Sequence, residues 1–576
     1  MVVLETSVKR IAAVLAGVAL ALTGCQSADL KPGGAAPSDQ GAGGAAATPK
    51  LTRVVFGINA PVLETNDYNE VGLDTWQLRP AYEYLTGVDL EGHDVSAHVQ
   101  GLATDWTIEP DGKSYRLKLR QGVKLHFDKG EFGAQDVRYN WQHIIATGSR
   151  NPHAQRYKDT VSDVEIVNDH EVVFRLKAPD VSFIFGLGEQ EITYNIVSKV
   201  DAESRDHWPR PGEQAIAGTG PYAIAERTPS KNIVYKKVPW QHWRQSPIFP
   251  EFEFRFFKEN STRMAALLAG EIHMAALPFE MTQQAERAGF KAIRSRAPIG
   301  PQAWMDLVGT WANRRVFPEE VLNADPNQQY VYPNTPLLDV RVRRALSKAI
   351  NRDELNKAYY QGKAATIYNL FLDPSRPGWN PEWQRRFQDE YGYDPEAAKK
   401  LLADAGYGPN NPLKHTIMPS TSGAFYPELN DVVDSIAGYW RAIGVQVTID
   451  QSDPVTVSAK GRALAFDNHS RLVASSIRQF FGFGIYQTGT TGGRTGSELK
   501  AVRDFFENNL RPTLDATKWD GIWRQLGDIA YNEHPNIPLF WLPALAVVNP
   551  NFVADYPFSG TLTGTYSNIE YIKPAG

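Results

Sequence analysis

Residues 111–126 read Asp111-Gly112-Lys113-Ser114-Tyr115-Arg116-Leu117-Lys118-Leu119-Arg120-Gln121-Gly122-Val123-Lys124-Leu125-His126, and they are the most specific stretch of this 576-residue chain. Apolar and basic residues alternate from Tyr115 to Arg120, which predicts a β-strand with one buried face. A second short block follows at residues 132–137, Phe-Gly-Ala-Gln-Asp-Val. Together the two blocks form the landmark from which the rest of the chain can be interpreted.

Signals for strands and helices are mixed on both sides of this landmark. The β-rich run at residues 51–57 predicts the first strand. Near the other end, residues 435–444 have a helical pattern, and residues 445–449 then alternate as a strand. We therefore predict an α/β chain.

One helix has clear boundaries in the sequence. Asp394 suits the N-cap position, and Pro395 suits the first helical position. Gly406 suits the left-handed residue that ends a helix. The sequence thus predicts a helix between Asp394 and Gly406.

Several landmarks together resemble the family 5 extracellular solute-binding proteins, the oligopeptide, dipeptide and nickel receptors of ABC importers. Residues 111–126 carry the most specific part of the resemblance. His273 departs from the pattern, because the family usually has Asp there. The resemblance runs from about Leu51 to Pro574. The other matching segments are residues 84–87, 101–106, 132–137, 218–222, 263–273, 338–346, 349–352 and 394–406.

The resemblance implies a two-lobed, periplasmic-binding-protein-like fold of type II, with an extra subdomain inserted in lobe I. Lobe I is then expected at residues 51–298 with a return at 535–576, and its insert at about 95–205. Lobe II is expected at residues 299–534. Hinge closure around a solute is the implied motion, and the importer would recognise the closed form.

The N-terminus has the layout of a bacterial export signal. Lys9 and Arg10 precede an apolar run that ends at Leu22 and is too short to span a bilayer. Leu22-Thr23-Gly24-Cys25 resembles the lipobox, in which the signal is cut before the cysteine and the cysteine is acylated. We predict a signal peptide at residues 1–24, lipidation at Cys25 and a flexible tether at 25–50. The alternative is a chance cleavage site with a leftover thiol.

Composition limits the function classes further. The net charge of −5 gives no reason to propose nucleic-acid binding. The length favours more than one lobe, and a single cysteine leaves no disulfide within the chain. The 14 Trp, 24 Tyr and 26 Phe could build a large core and could also wall a ligand cleft.

Motifs for catalysis and metal binding are scarce, and we predict neither catalysis, nor a metal, nor a cofactor. No hydrolase elbow, zinc-protease motif or phosphate loop occurs. His126 and His469 are the nearest candidates for metal ligands, but the histidines lack paired ligand spacing. The Gly-rich residues 489–494 predict a mobile loop at the mouth of a cleft rather than an anion site.

The segment 463–471 bears on the class of solute. In peptide-binding relatives this region carries a Trp and then an Asp that accepts the ammonium group of the peptide. Here Phe466 and Asp467 are the candidates, and no further acidic residue occurs before Glu498. Arg471 makes the stretch basic. This departure leaves room for a carboxylate-bearing, N-blocked or sugar-like ligand.

The remaining ligand-binding candidates are aromatic or amide side chains at places where the family lines its cleft. Core packing is the alternative for each aromatic residue. The polar residues 313–336 are expected to form an inserted surface loop. The candidates are Asn59, Trp304, Phe481, Phe483 and Tyr486.

These observations predict a monomeric, lipid-anchored substrate-binding subunit on the extracytoplasmic face of a membrane. Its partners would be ABC permease subunits and a peptide or peptide-like solute. An oligosaccharide, an opine or another polar solute is the alternative ligand. A lipid-anchored sensory binding protein without a transport role is the alternative function.

Overall fold

The computed structural model describes most of the chain after residue 50. Cys25, the signal peptide and the tether lie outside the described residues, and so do the Gly-rich residues 489–494 and most of the expected loop at 313–336. The described residues are 51–61, 63–70, 76–87, 99–151, 153–189, 194–296, 300–313, 328–418, 420, 426, 428–452, 454–475, 479–488, 495–560 and 566–576.

A seven-stranded mixed sheet, the first sheet, is built around the predicted first strand. That strand, Arg53–Ile58, is buried along most of its length and runs parallel to both neighbours. The late strand Leu545–Val548 joins the same sheet, so distant parts of the chain meet here. The strand order is Lys291–Arg294, Leu545–Val548, Met274–Ala275, Arg53–Ile58, Glu251–Phe256, Asn232–Lys237 and Tyr222–Thr228.

Residues 103–176 include a separate antiparallel sheet of four strands, the inserted sheet. The alternating landmark forms its second strand, Ser114–Leu119, in which Tyr115 and Leu117 are buried and Lys118 is exposed. The predicted half-buried strand is thus present. The strand order is Ala103–Ile108, Ser114–Leu119, Glu171–Leu176 and Val161–Asn168.

A six-stranded sheet, the second sheet, contains the remaining long strands. Its centre is Gln302–Val308, which is buried throughout and pairs antiparallel with strands on both sides. The strand order is Ala365–Thr366, Asn536–Trp541, Gln302–Val308, His469–Ser475, Lys414–Met418 and Gln446–Ile449. Two further pairs of very short strands are Thr86–Gly87 with Val99–Gln100 and Val553–Asp555 with Lys573–Pro574.

Helices cover the sheets, and within the described residues none is long and apolar enough to cross a membrane. The α-helices are Ala134–Ile145, Ala154–Thr160, Phe183–Gly186, Lys199–Glu203, Asn260–Leu268, Phe279–Arg287, Val340–Lys348, Arg352–Tyr360, Pro381–Tyr391, Pro395–Asp404, Leu429–Ala442, Pro454–Arg462, Gln479–Gly482, Lys500–Phe505 and Trp519–Glu533. Single 3₁₀ or π turns occur at His126–Asp128, Pro336–Leu338, Phe483–Gln487, Phe506–Leu510, Ala516–Lys518 and Ile569–Tyr571.

The helix predicted between Asp394 and Gly406 is present with the expected ends. It spans Pro395–Asp404, and the Asp394 carboxylate accepts a 2.9 Å hydrogen bond from the Ala397 amide. Gly406 has a φ of +91°, the left-handed conformation that glycine adopts without strain. The later helix begins at Leu429, six residues before the predicted start at 435.

The chain passes between the first and second sheets twice, and the two crossings lie side by side. The Ser295 amide donates to the Ala544 carbonyl at 3.0 Å, and the Leu542 amide donates to the Pro301 carbonyl at 2.7 Å. The return to the first sheet comes at Leu545, because Asn536–Trp541 still pairs with Gln302–Val308. We therefore propose the two-lobe division with this return, rather than with the expected return at residue 535.

His126 ends the landmark stretch and is held by backbone groups alone. Its Nε2 lies 2.9 Å from the Gly220 carbonyl, and its Nδ1 accepts the Gly218 amide at 3.3 Å. Only the neutral ring can make both bonds, because Nδ1 must be an acceptor. Burial lowers the pKa of His126 to about 4. Both ring nitrogens are thus used in the structure, and neither is free for a metal.

The buried imidazole predicts an acid-sensitive fold. Its pKa is lower in the folded state than in the unfolded chain, so its contribution is complete above pH 6.5 and is lost as the pH falls toward 4. His126→Gln should remove up to about 3 kcal/mol from the difference in unfolding free energy between pH 7 and pH 4. Urea unfolding at several pH values measures this difference. The exposed His207 provides the control His207→Gln, and equal pH slopes for both variants would contradict the prediction.

Candidate functional site

Two of the predicted aromatic candidates lie together in a buried cluster. Trp304 is 0% exposed, and its ring lies edge-on to Phe371 with centroids 5.5 Å apart. Phe483, also 0% exposed, contacts the same Phe371 ring at 5.9 Å. In this conformation both side chains are core residues on one face of the second sheet. Their contact with a solute stays a prediction.

A buried polar group fixes the Trp304 ring. The indole Nε1 donates to the Asp306 carboxylate at 2.6 Å, and Asn536 donates to the same oxygen at 3.0 Å. The Arg471 guanidinium reaches the other oxygen at 2.9 Å. Burial raises the pKa of Asp306, and Arg471 opposes that rise. The positive charge of Arg471, which makes segment 463–471 basic, is therefore paired with the buried Asp306 carboxylate.

Phe466 and Asp467 belong to a different part of the second lobe. Phe466 is buried with Trp311 and Leu464, and its carbonyl accepts the Trp311 indole at 2.7 Å. Asp467 is exposed, and its carbonyl lies 2.6 Å from the His469 ring. The structure thus places this pair in a separate cluster from Trp304 and Phe483.

The remaining predicted ligand-binding residues are Asn59, Phe481 and Tyr486. Asn59 is partly buried, directly after the first strand Arg53–Ile58. Phe481 and Tyr486 belong to the short helical turns at 479–487, but their side chains lie outside the described structure. Within the described residues, no group of three or more His, Cys, Asp or Glu side chains could hold a metal ion.

The inserted subdomain touches the second lobe through a contact that we call the interlobe seam, formed by Asp180, Val181 and Phe185 against Phe480 and Arg511. The Phe185 and Phe480 rings stack with centroids 4.7 Å apart. The Val181 amide donates to the Arg511 carbonyl at 3.1 Å. The two halves are therefore in contact far along the chain from the crossings.

An ion pair between Asp180 and Arg511 is the polar centre of the seam. The guanidinium lies 2.7 Å from the carboxylate, and the Asp180 side chain is only 1% exposed. Ser182 donates to the same carboxylate from its amide and its hydroxyl. Burial alone would raise the pKa of Asp180, but Arg511 outweighs it and the pKa is lowered. The charged pair is thus the stable form in the seam.

A small cavity lies beside the crossings, and we call it the Glu428 cavity. Its volume is about 20 Å³. Helix Phe279–Arg287 contributes to its lining, and so does Glu428, which directly precedes helix Leu429–Ala442. The residues that line it are Leu277, Phe279, Thr282, Tyr360, Tyr426, Glu428, Pro543, Ala544, Leu545 and Tyr566.

Sequence reasoning did not find this cavity. Glu428 directly precedes an amphipathic helix, where an acidic residue normally indicates a helix start rather than a binding site. The tyrosines that join it come from segments that are far apart in the chain. Only the paired crossings bring these segments together.

Two α/β lobes, joined by two adjacent crossings and touching along a seam, define a two-domain binding protein with the type II periplasmic-binding-protein fold. The profile of the bacterial extracellular solute-binding proteins, family 5 Middle, matches residues 98–476. This is more than half of the chain, and the protein belongs to this family. The expected fold class and family are thereby confirmed.

Individual relatives are more distant. The chain is 28% identical over 366 residues to the dipeptide-binding protein of Escherichia coli K12, and this match covers 61% of the chain and 63% of that relative. The chain thus spans less than two thirds of the length of this curated relative.

Solved structures match over more of the chain, although at lower identity. The periplasmic binding protein DppA of Helicobacter pylori, in complex with the peptide STSA, gives a TM-score of 0.70 at 20% identity, covering 91% of this chain and 98% of that one. AgaA of A. tumefaciens R10, in complex with agropinic acid, gives 0.69 at 18% identity, covering 91% and 98%. At these identities the likeness shows the fold alone.

The buried position of Asp180 in the seam predicts that its charge contributes more to the stability of the fold than an exposed surface charge does. Asp180→Asn leaves Arg511 with only the more exposed Glu507 carboxylate, which lies 2.7 Å away, and should lower the unfolding free energy by about 2 kcal/mol. Chemical denaturation measures the loss, and small-angle scattering should show a larger radius of gyration if the pair holds the halves together.

A matched control is Glu165→Gln, which removes the exposed pair with Arg175. Its cost should stay below about 1 kcal/mol. Equal costs for the two variants would show that the seam pair contributes no more than a surface pair.

Proposed function

We propose that this protein is the extracytoplasmic substrate-binding subunit of an ABC importer. It would capture a peptide or peptide-like solute between its two lobes and deliver it to permease subunits. Binding by enclosure needs no bond to be made or broken, so we propose no catalysis. Membership in the solute-binding family over residues 98–476 is the observation that carries this proposal.

The arrangement of the lobes supports capture by closure. Two short crossings can bend while the sheets that they connect stay intact. A solute that contacts both lobes stabilises the closed form over the open one, which is a population shift. The seam contacts at Asp180 and Arg511 would then form or break with closure.

A peptide is our first choice of solute because of the relatives. A relative at 28% identity is named a dipeptide-binding protein, and a neighbour in fold was solved with a bound peptide. The pairing of Arg471 with Asp306 also weakens the argument from a basic cleft segment.

A second candidate is a polar, non-peptide solute such as an opine. The neighbour in complex with agropinic acid supports it, and so does the lack of an acidic residue between Asp467 and Glu498. Thermal-shift screening with peptide and opine panels would distinguish the two classes of solute.

We further propose that Cys25 carries a lipid anchor and that residues 26–50 form a slack tether. A flexible chain of this length would average about 25–30 Å between its ends. Such a tether would keep the receptor near its permease and still let the lobes rotate freely.

The proposed solute class can be tested with the purified protein. Co-purified ligand is identified by mass spectrometry, and peptide, opine and oligosaccharide panels are then screened by thermal shift. A solute at 100 times its Kd should stabilise the protein by about 2.7 kcal/mol. Peptides should give the largest shifts. Shifts from opines or oligosaccharides alone would overturn the first choice and favour the second.

The anchor has its own test. Cys25→Ser should release the protein into the soluble fraction of cells, because no acyl chain can be attached. Affinity for the identified solute should not change, since the tether is outside the binding lobes. Membrane fractionation and calorimetry measure the two properties. Retention of the variant in membranes would contradict lipidation at Cys25.

A further inference from the structure

Glu428 is a carboxylate without a matching cation. It forms no ion pair within the described part of the chain, and no basic residue is among those that line its cavity. The adjoining stretches 421–425 and 561–565 contain no charged residue in the sequence. Burying an ionised carboxylate without a partner is costly. The cavity therefore favours a positively charged guest.

The surroundings of Glu428 agree with this deficit of positive charge. Burial raises the pKa of the Glu428 carboxyl to about 7, and Asp431 on the same helix acts in the same direction. Arg263 interacts electrostatically with Tyr566 of the cavity lining, and it donates to the carbonyl oxygens of Ala276 and Phe257. That guanidinium is already committed to the first lobe.

A buried hydroxyl adds an independent observation. Tyr360 is 1% exposed, and its hydroxyl is held toward the Glu428 carboxyl, with no second partner among the described residues. Buried hydroxyl groups in proteins are nearly always satisfied by protein or water. Tyr360 and Glu428 thus present an acceptor pair to whatever occupies the cavity.

Three of the other lining residues are aromatic, namely Phe279, Tyr426 and Tyr566. The rest of the lining is formed by Leu277, Thr282, Pro543, Ala544 and Leu545. Aromatic faces attract cations through their negative π surfaces, and the attraction grows where water is excluded. A carboxylate surrounded by such rings suits an ammonium group better than it suits a second carboxylate or a sugar hydroxyl.

The size of the cavity selects among cations. A volume of about 20 Å³ holds a single group of the size of water. A primary ammonium head fits this space, whereas a guanidinium or a quaternary ammonium does not. Both lobes supply lining residues, so a group held in the cavity contacts both lobes.

We propose that the Glu428 cavity receives a primary ammonium group of the captured solute, with Glu428 and Tyr360 as its acceptors. This inference rests on the proposed function, and it narrows the solute to amine-bearing compounds. The acidic anchor that the sequence lacks between Asp467 and Glu498 is thereby supplied from another helix. A small free amine or ammonium ion has the same chemistry and is the alternative source of the group.

The first experiment tests the site without any knowledge of the solute. Melting temperatures of the mature protein are measured at pH 8 in methylammonium chloride and in tetramethylammonium chloride at equal concentration. Methylammonium should stabilise the protein more, because only its head fits the cavity. Glu428→Gln should abolish the difference between the two salts. The control Asp431→Asn removes an exposed carboxylate from the same helix and should keep the difference.

The second experiment identifies the source of the ammonium group. Peptides that bind the wild type are compared with their N-acetylated forms by calorimetry. Glu428→Gln should weaken binding of the free-amine forms by about 10- to 100-fold, the range for a lost charged hydrogen bond, and should leave the acetylated forms unchanged. Tyr360→Phe removes only the hydroxyl and should show a smaller effect, which keeps the test valid if Glu428→Gln folds poorly.

The outcomes separate this inference from the proposed function. If peptides bind and Glu428→Gln leaves the preference for free amines unchanged, the inference is wrong and the receptor function stands. If no peptide binds but the salt difference depends on Glu428, the ammonium site is supported and the peptide class fails. If the two salts act alike on the wild type, the inference is overturned.

Discussion

The structure depends on the two crossings that lie side by side between the sheets. Their hydrogen bonds, from Ser295 to Ala544 and from Leu542 to Pro301, hold the outgoing and returning chains together. Gly300 permits this approach, since a Cβ there would lie 2.1 Å from the Leu542 carbonyl oxygen. The first sheet takes Leu545–Val548 from beyond the second crossing, so the first lobe cannot form from one continuous segment, whereas all strands of the second sheet lie between the two crossings. Among the described residues, these two crossings are the covalent connections between the first and second sheets.

Buried carboxylates in this protein differ in whether a cation is matched to them. Asp180 in the seam and Asp306 within the second lobe each pair with an arginine, which offsets part of the cost of burying the carboxylate. Glu428 is only half-buried and lacks an arginine or lysine partner in the described structure. A cavity with an unmatched carboxylate gains most when a solute brings the missing charge.

Local features of the fold were predictable where short-range chemistry decides them. The strand at Ser114–Leu119 follows from alternation, and the helix at Pro395–Asp404 follows from its cap residues. The start of helix Leu429–Ala442 was placed six residues late, because its first turn carries Asn430 and Asp431 and has no side-chain cap. The return at residue 535 was placed too early, because pairing of Asn536–Trp541 with Gln302–Val308 is not marked in the local sequence.

The candidate site likewise combines features that the sequence predicts with features that only the tertiary structure creates. The sequence by itself determined the family, through motifs spread over residues 98–476, and with the family the two-lobed plan. It also gave the aromatic residues Trp304 and Phe483 but not their burial, which depends on Phe371 reaching them from another segment. Only the tertiary structure placed Tyr360, Glu428 and Tyr566 around one cavity. The physical reason is that propensity and capping act over a few residues, whereas a cleft is formed by surfaces that meet only after the chain has crossed twice.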